Sequence, residues 1–368
     1  MWYPRSVTTP IPGQIWLKSS QVVRWRMRGL LKVLPARVPP SDSAAASASH
    51  ASFSAAALSS GPVAGRRIAY LFAGTYGDFV QILIPLKRLA AAFPAAELLL
   101  YGGDRYARDF ASELPAMLRI APALEPMQWC KEPVDLLFTN CVGVYRVRFD
   151  FLARFCARRA FGFRHAHETH RGGFAATLPL DSGVRSFAAE NLRVLDLAGV
   201  DPLPPSTVDP QNPVEGEVPA WGKGKVLFHI GSAGLKQDFG LKAYTRLVLN
   251  VLGHLERRPV EVVMGPGDED VAVEIRARTG FNPQIYPLPR LIRILQAFEG
   301  TVLCFNSFPA HICHYLGRPA IVMHREAVPY GYDCAPLHTQ VILKRIEDWD
   351  LAGVWEALQQ DGNPASPS

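Results

Sequence analysis

The sequence has no C-x-x-C pair. Its six cysteines stand at 130, 141, 156, 304, 313 and 334, a spacing that matches neither a zinc site nor an even disulfide framework. A reducing, cytoplasmic setting is therefore expected. No stretch approaches the roughly 20 uncharged apolar residues in a row that a spanning helix needs, so the chain is not read as an integral membrane protein. A G-x-G-x-x-G turn after a strand is also missing, and with it the main sign of a dehydrogenase. Charge of one sign is scarce too: 39 Lys and Arg against 33 Asp and Glu leave a formal charge of +6, spread along the chain. So mild an excess favours anionic ligands, and no nucleic-acid partner is expected.

Acidic residues are absent between Arg5 and Arg37, where seven basic residues lie. The Ala/Ser run from Ser41 to Ser60 lacks the bulk to bury a core and reads as a flexible tether. Residues 1–61 are therefore set apart as a basic extension and linker. Within them, Val22 to Lys32 fits two readings: a disordered arm, or a basic amphipathic helix in peripheral contact with an anionic membrane surface.

What the chain does have is 368 residues, 48% of them apolar, enough for two α/β domains with packed cores. From Arg67 onward short apolar runs alternate with helical stretches, the pattern of a parallel sheet covered on both faces. Strands are expected at Ile68–Phe72, Glu97–Tyr101 and Val134–Phe138, with a helix from Phe79 to about Phe93. Six prolines between Asp201 and Ala220 interrupt the pattern. A second series begins at Lys225–Ile230, with strands at Val260–Met264, Thr301–Phe305 and Ala320–Met323 and helices from Leu241, from Asp268 and over Pro309–Leu316. The expectation is a first Rossmann-like domain over 62–205, a linker over 206–222, a second such domain over 223–368, and a cleft between them.

Three turns fall where a strand ends and a helix begins, at the sheet edge that holds ligands in open α/β folds. Gly74-Thr75-Tyr76-Gly77-Asp78 offers a carboxylate that is either a helix cap or a functional acid. Gly231-Ser232-Ala233-Gly234-Leu235-Lys236 is a glycine turn with a lysine, read as a diphosphate site or as a tight loop with a solvated lysine. Asn306-Ser307-Phe308-Pro309-Ala310-His311 opens a helix with proline in its first turn, and His311 is either a donor to a ligand oxygen or a satisfied interior histidine.

In this order, and together with Leu316-Gly317-Arg318-Pro319, these turns resemble the lipopolysaccharide heptosyltransferases, the ADP-heptose-using glycosyltransferases of family nine. The resemblance spans most of residues 66–340. It implies the GT-B fold, α/β with two facing Rossmann-like domains, the first for the acceptor and the second for the nucleotide sugar. It further implies inverting transfer without a metal or other cofactor, from an ADP-linked donor to an anionic glycolipid or glycan acceptor, at the cytoplasmic face of the membrane. By resemblance Asp78 is the general base and Lys236 faces the donor phosphates. Donor binding is then expected at Gly231, Ser232, Gly265, Asn306, Ser307, Phe308, Ala310 and His311, and acceptor contacts at Thr75, Gly77 and Arg164. A carboxylate removes a proton from the incoming hydroxyl, while a lysine and the N–H groups of a helix start stabilise the departing diphosphate. The chain departs from the family where Asn306 and Phe308 replace the usual acid and glycine, and where Gln237-Asp238-Phe239 follow the lysine in place of Trp-Pro. Two rivals are a GT-B transferase using another nucleotide sugar in capsule or O-antigen synthesis, and a non-catalytic nucleotide-sugar or glycan binder.

Other signals are weaker. Asp268-Glu269-Asp270 and Asp348-Trp349-Asp350 have the D-x-D form of metal-dependent transferases, but acids at a helix start are stabilised by its dipole. His165, His167 and His170 match no zinc spacing. Arg154, Arg158, Arg159 and Arg164 read either as a solvated helix face or as a basic patch for an anionic acceptor.

Overall fold

Runs such as Ile68-Ala69-Tyr70-Leu71 do not alternate apolar with polar side chains, which marks a strand buried on both faces. The computed structural model describes residues 66–121, 133–142, 153, 156–165, 174–180, 186–202, 220–255, 258–265, 268–325, 337–343 and 351–361. The expected extension over 1–61 and most of the expected linker lie outside the described residues.

In the first lobe the strands are β1 (Arg67–Leu71), β2 (Glu97–Tyr101), β3 (Leu118–Ala121), β4 (Val134–Thr139), β5 (Ala157–His165) and β6 (Ala176–Leu180), paired in the order β3-β2-β1-β4-β5-β6. Every pairing is parallel. The second lobe holds β7 (Val226–His229), β8 (Val260–Met264), β9 (Gln284–Ile285), β10 (Thr301–Phe305), β11 (Ile321–His324) and β12 (Thr339–Ile342), again all parallel, in the order β12-β11-β10-β7-β8-β9. Renumbered within its own lobe, that is the first sheet's order: both are doubly wound Rossmann-type sheets. In each, connections leave the first strand on one side and the fourth on the other, so a crevice opens at the ends of β1 and β4, and of β7 and β10.

The helices are α1 (Tyr76–Val80), α2 (Leu83–Ala92), α3 (Asp104–Asp109), α4 (Phe187–Leu197), α5 (Ala233–Phe239), α6 (Leu241–Leu255), α7 (Glu269–Thr279), α8 (Leu288–Ala297), α9 (Phe308–Tyr315) and α10 (Ala352–Asp361). α6 illustrates the local logic: Tyr244, Leu247, Val248, Val251, Leu252 and Leu255 recur at helical spacing and all are buried. The expected single helix from Phe79 to Phe93 is broken into α1 and α2. Pro85 explains the break, because its ring excludes the carbonyl of Gln81 from an ordinary helical position and it has no N–H to donate there. At the break the Ile82 N–H turns back to the Phe79 carbonyl at 3.1 Å.

Two further corrections concern function. Arg158, Arg159 and Arg164 lie on β5, not on a helix. Arg158 and Arg159 are at the start of that strand, the sheet edge opposite the ligand crevice, and Arg158 pairs with Asp135 at 3.5 Å. Lys236 lies in α5 and not in a loop. Trp221, inside the expected linker, is already part of the second lobe: its N–H donates to the Ala297 carbonyl at 3.1 Å and its carbonyl accepts from Glu299 N–H at 2.7 Å.

The two lobes share one apolar layer, which includes Phe79, Val80, Ile82 and Leu83 from the first and Ala310, Ile312 and Cys313 from the second. Polar contacts pin the same seam. Lys87 donates to the Tyr315 hydroxyl, which donates to Glu113 at 2.6 Å, and Lys87 lies 3.6 Å from Glu113. No described helix is long and apolar enough to cross a membrane.

Candidate active site

At the facing crevices the turns after β1, β7, β8 and β10 enclose a cleft of about 740 Å³, within the range of small-molecule sites. Thr75, Gly77, Gly231, Ser232, Lys236, Gly265, Asn306, Ser307, Phe308 and His311 all line it. Asp78, Ala310 and Arg164 do not.

Asp78 sits just beneath the cleft surface, 1% exposed. Its carboxylate accepts the Thr75 N–H at 2.7 Å and the Thr75 hydroxyl at 2.9 Å, the reciprocal arrangement of a capping box at the start of α1. The capping reading of this acid therefore holds. Its link to the cleft runs through Thr75, whose side chain is exposed there.

On the opposite wall the Lys236 ammonium forms an ion pair with Asp268, the residue that precedes α7. Both are largely shielded, at 20% and 11% side-chain exposure, so the pair is not a solvated surface contact. Burial raises the Asp268 pKa and Lys236 opposes that shift. The acids at this helix start thus include one that faces the cleft, held by a lysine and not by a cap bond. Gly231 is required by close approach: a Cβ there would come within 2.6 Å of Asp268 Oδ2 and 2.8 Å of His229 Cε1. His229, fully buried and pulled down to a pKa of about 3 by its burial, accepts the Gly231 N–H on Nδ1 at 3.2 Å and shapes the turn. No signal in the sequence distinguished it from an ordinary strand residue.

The α9 turn is organised by Ser307, whose hydroxyl donates to the Gly231 carbonyl at 3.0 Å and so ties two ligand turns together. Ala310 is buried and its carbonyl accepts from His338 at 3.0 Å, which places it behind the turn and not in the cleft. Phe308 projects into the cleft between the lobes. Its ring meets His229 edge-on at 5.3 Å and tilts toward Tyr76 across the cleft at 6.4 Å. His311 is 4% exposed and its pKa is pulled down to about 3, first by burial and then by His314, His338 and His324, so it is a neutral imidazole. The Gln81 amide nitrogen lies 3.3 Å from its Nδ1. With that amide donating, the ring carries its proton on Nε2.

Eight cleft residues were not expected as site residues: Tyr76, Arg105, Asp109, Asp268 and the stretch Tyr286, Pro287, Leu288 and Pro289 at the start of α8. Tyr76 donates to Asp109 at 2.6 Å, and the Arg105 guanidinium lies over the Tyr76 ring at 5.6 Å. Burial, then Asp109, raises the Tyr76 pKa. Arg105 and Asp109 sit on α3, directly after β2, so recognising that every strand end of a doubly wound sheet faces the ligand would have found them.

Two doubly wound parallel sheets facing each other across a ligand cleft define the GT-B fold. Solved structures agree. A family 9 glycosyl transferase from Veillonella parvula is similar with a TM-score of 0.53 at 15% identity, over 81% of this chain and 90% of that one. E. coli heptosyltransferase WaaC with ADP gives 0.55 at 13% identity, over 80% and 99%. E. coli ADP-heptose LPS heptosyltransferase II gives 0.52 at 14%, over 81% and 100%. No protein-family model and no curated protein matches the sequence.

Proposed function

We propose that the chain is an inverting, metal-independent glycosyltransferase that moves a heptose-like sugar from an ADP-linked donor to a lipopolysaccharide or related cell-surface glycan, at the cytoplasmic face of the membrane. The observation that carries this reading is the convergence of the three sequence-identified turns on one cleft, with Lys236 in its wall. The fold shared with a heptosyltransferase solved with ADP supports the choice of donor.

In this reading the donor diphosphate lies against the Gly231-Ser232 turn and draws Lys236 away from Asp268. Charge accumulating on the leaving oxygen is then met by the ammonium and by the Nε2–H of His311. The acceptor hydroxyl gives its proton to Thr75 Oγ as that hydroxyl passes its own to Asp78, along the 2.9 Å bond already in place. Arg105 lines the cleft and supplies a cation for an anionic acceptor, and Arg164, at the C-terminal end of β5, lies at the same edge of the sheet outside the cleft lining. The test is transfer from ADP-heptose with the purified chain in the presence of a chelator. Thr75→Val and Asp78→Asn should each abolish turnover while ADP still binds.

Two observations favour rival readings. Phe308 narrows the place where family members carry glycine, which favours a donor sugar other than heptose; a panel of nucleotide sugars discriminates. Burial of Asp78 and pairing of Lys236 favour a non-catalytic nucleotide-sugar binder. That reading gains if ADP-heptose binds and neither transfer nor donor hydrolysis follows.

A further inference from the structure

The turn that carries Thr75 is held from both sides. β2 and β4 flank β1 in the first sheet, so the segments that leave their ends lie on either side of the turn after β1. From the β4 side comes Asn140, fully buried, whose amide pairs with both backbone groups of Ala73. The Ala73 N–H donates to Oδ1 at 3.0 Å, and Nδ2 donates to the Ala73 carbonyl at 2.8 Å. From the β2 side comes α3. Its Tyr106 hydroxyl donates to the Gly74 carbonyl at 3.0 Å, and its Asp109 accepts from the Tyr76 hydroxyl at 2.6 Å. The Tyr76 ring also meets Tyr106 edge-on at 4.8 Å.

Gly74 completes the clamp. Its φ of +152° suits glycine, and a Cβ there would lie 2.6 Å from Asp78 Oδ2. Residues 73, 74 and 76 are thus each fixed by a side chain from outside the turn, while Thr75 between them bonds Asp78 through both its N–H and its hydroxyl. Of the holding side chains Asp109 lines the cleft, and Tyr106 and Asn140 do not. The cap of α1 needs none of the three, because Thr75 and Asp78 complete that box between themselves. What the three add is a fixed place for the Thr75 hydroxyl at the cleft. Displacing a reacting group by about 1 Å costs on the order of 100-fold in rate.

We propose that Tyr106 and Asn140 are positioning residues for the transfer step, holding the Thr75 hydroxyl at the cleft surface through the backbone of Gly74 and Ala73, with Asp109 acting the same way through Tyr76. This role rests on the reading in which that hydroxyl relays the acceptor proton to Asp78. It gives a rate effect to two side chains that lie outside the cleft lining.

The experiment is steady-state release of ADP from ADP-heptose by the full chain, with a lipopolysaccharide acceptor, for wild type, Tyr106→Phe and Asn140→Ala. Tyr106→Phe deletes one hydroxyl and keeps the ring that packs on Tyr76, so it tests the role even where Asn140→Ala, at a buried site, fails to fold. Each folded variant should lose about tenfold or more in kcat, while KM for ADP-heptose and Kd for ADP stay within about twofold. Amide hydrogen exchange followed by NMR supplies a readout without turnover. The Thr75 N–H should exchange about tenfold faster in Tyr106→Phe, a larger factor than for Val248 in the second-lobe core. No ADP release by the wild type means that the relay reading itself has failed, and the positioning role goes with it. Wild-type turnover that Tyr106→Phe matches, a rise in KM in place of the fall in kcat, or unchanged Thr75 exchange overturns the positioning role alone.

Discussion

Gly77 of α1 and His311 of α9 meet so closely that a Cβ on the glycine would lie 2.7 Å from the imidazole Cδ2. The contact joins the lobes at the base of the cleft, and it exists because one side has no side chain. Gly77→Ala should therefore destabilise the protein by about 1–3 kcal/mol through overpacking. Gly253→Ala, in a helix where an added Cβ meets nothing within 4 Å, should instead stabilise it by roughly 0.5–1 kcal/mol. Denaturant midpoints of the two variants, measured side by side, check both signs.

In the proposed reading, ADP binding exchanges the partner of Lys236 from Asp268 to the diphosphate. Lys236→Ala would then remove a charge-assisted bond worth about 1.5–3 kcal/mol and should weaken ADP by about 10- to 100-fold. Asp268→Asn removes the competing carboxylate and should tighten ADP, most visibly at low salt. Calorimetric titration at two ionic strengths measures both. If Asp268→Asn weakens ADP, the aspartate is a ligand contact and not a competitor.

Three buried histidines set an acid limit. His229 and His311 are pulled down to about 3 and His338 to about 4, in each case chiefly by burial. In the unfolded chain each takes a proton near pH 6.5, so between that value and the folded pKa the unfolded state holds more protons and stability falls as pH falls. At pH 5 the loss is roughly 2 kcal/mol for each histidine. Urea unfolding between pH 7 and pH 5 should show it, with little change between pH 7 and pH 8 from these groups.

Phe308 faces Gly265, whose added Cβ would touch its ring at 3.9 Å, as well as His229 and Tyr76. Phe308→Gly restores the small residue usual in the resembling family and enlarges the donor side. Comparing kcat/KM for ADP-heptose with that for other nucleotide sugars, in wild type and variant, reads the change. The expected outcome is a selective gain for the bulkier sugar, and an equal effect on all donors assigns the ring a packing role alone.

Much of the architecture could be read from the residues. Glu97–Tyr101, Val260–Met264 and Thr301–Phe305 are strands at the expected limits, because short, mainly apolar runs bounded by turn residues leave little else. β5 escaped notice because Arg158 and Arg159 open it, and a charged strand start resembles a solvated helix face. β9 has two residues, too few for any pattern. In the site, residues flanking glycine turns were recognisable, while Arg105 and Asp109 were hidden in the polar helix α3. Asp78 was identifiable as a residue of interest, yet its burial beneath Thr75 depends on how tightly α1 turns, which no local spacing reveals.

Among the described residues each lobe keeps its own hydrogen-bond ladder, and no strand of one sheet pairs with the other. What unites them is the side-chain layer through α1, α2 and α9 and the Lys87–Tyr315–Glu113 contact. Those contacts join the halves through side chains of the described residues alone. Expressed as separate polypeptides divided between Pro202 and Ala220, the two should find each other and rebuild the cleft, which makes this molecule a natural subject for fragment complementation.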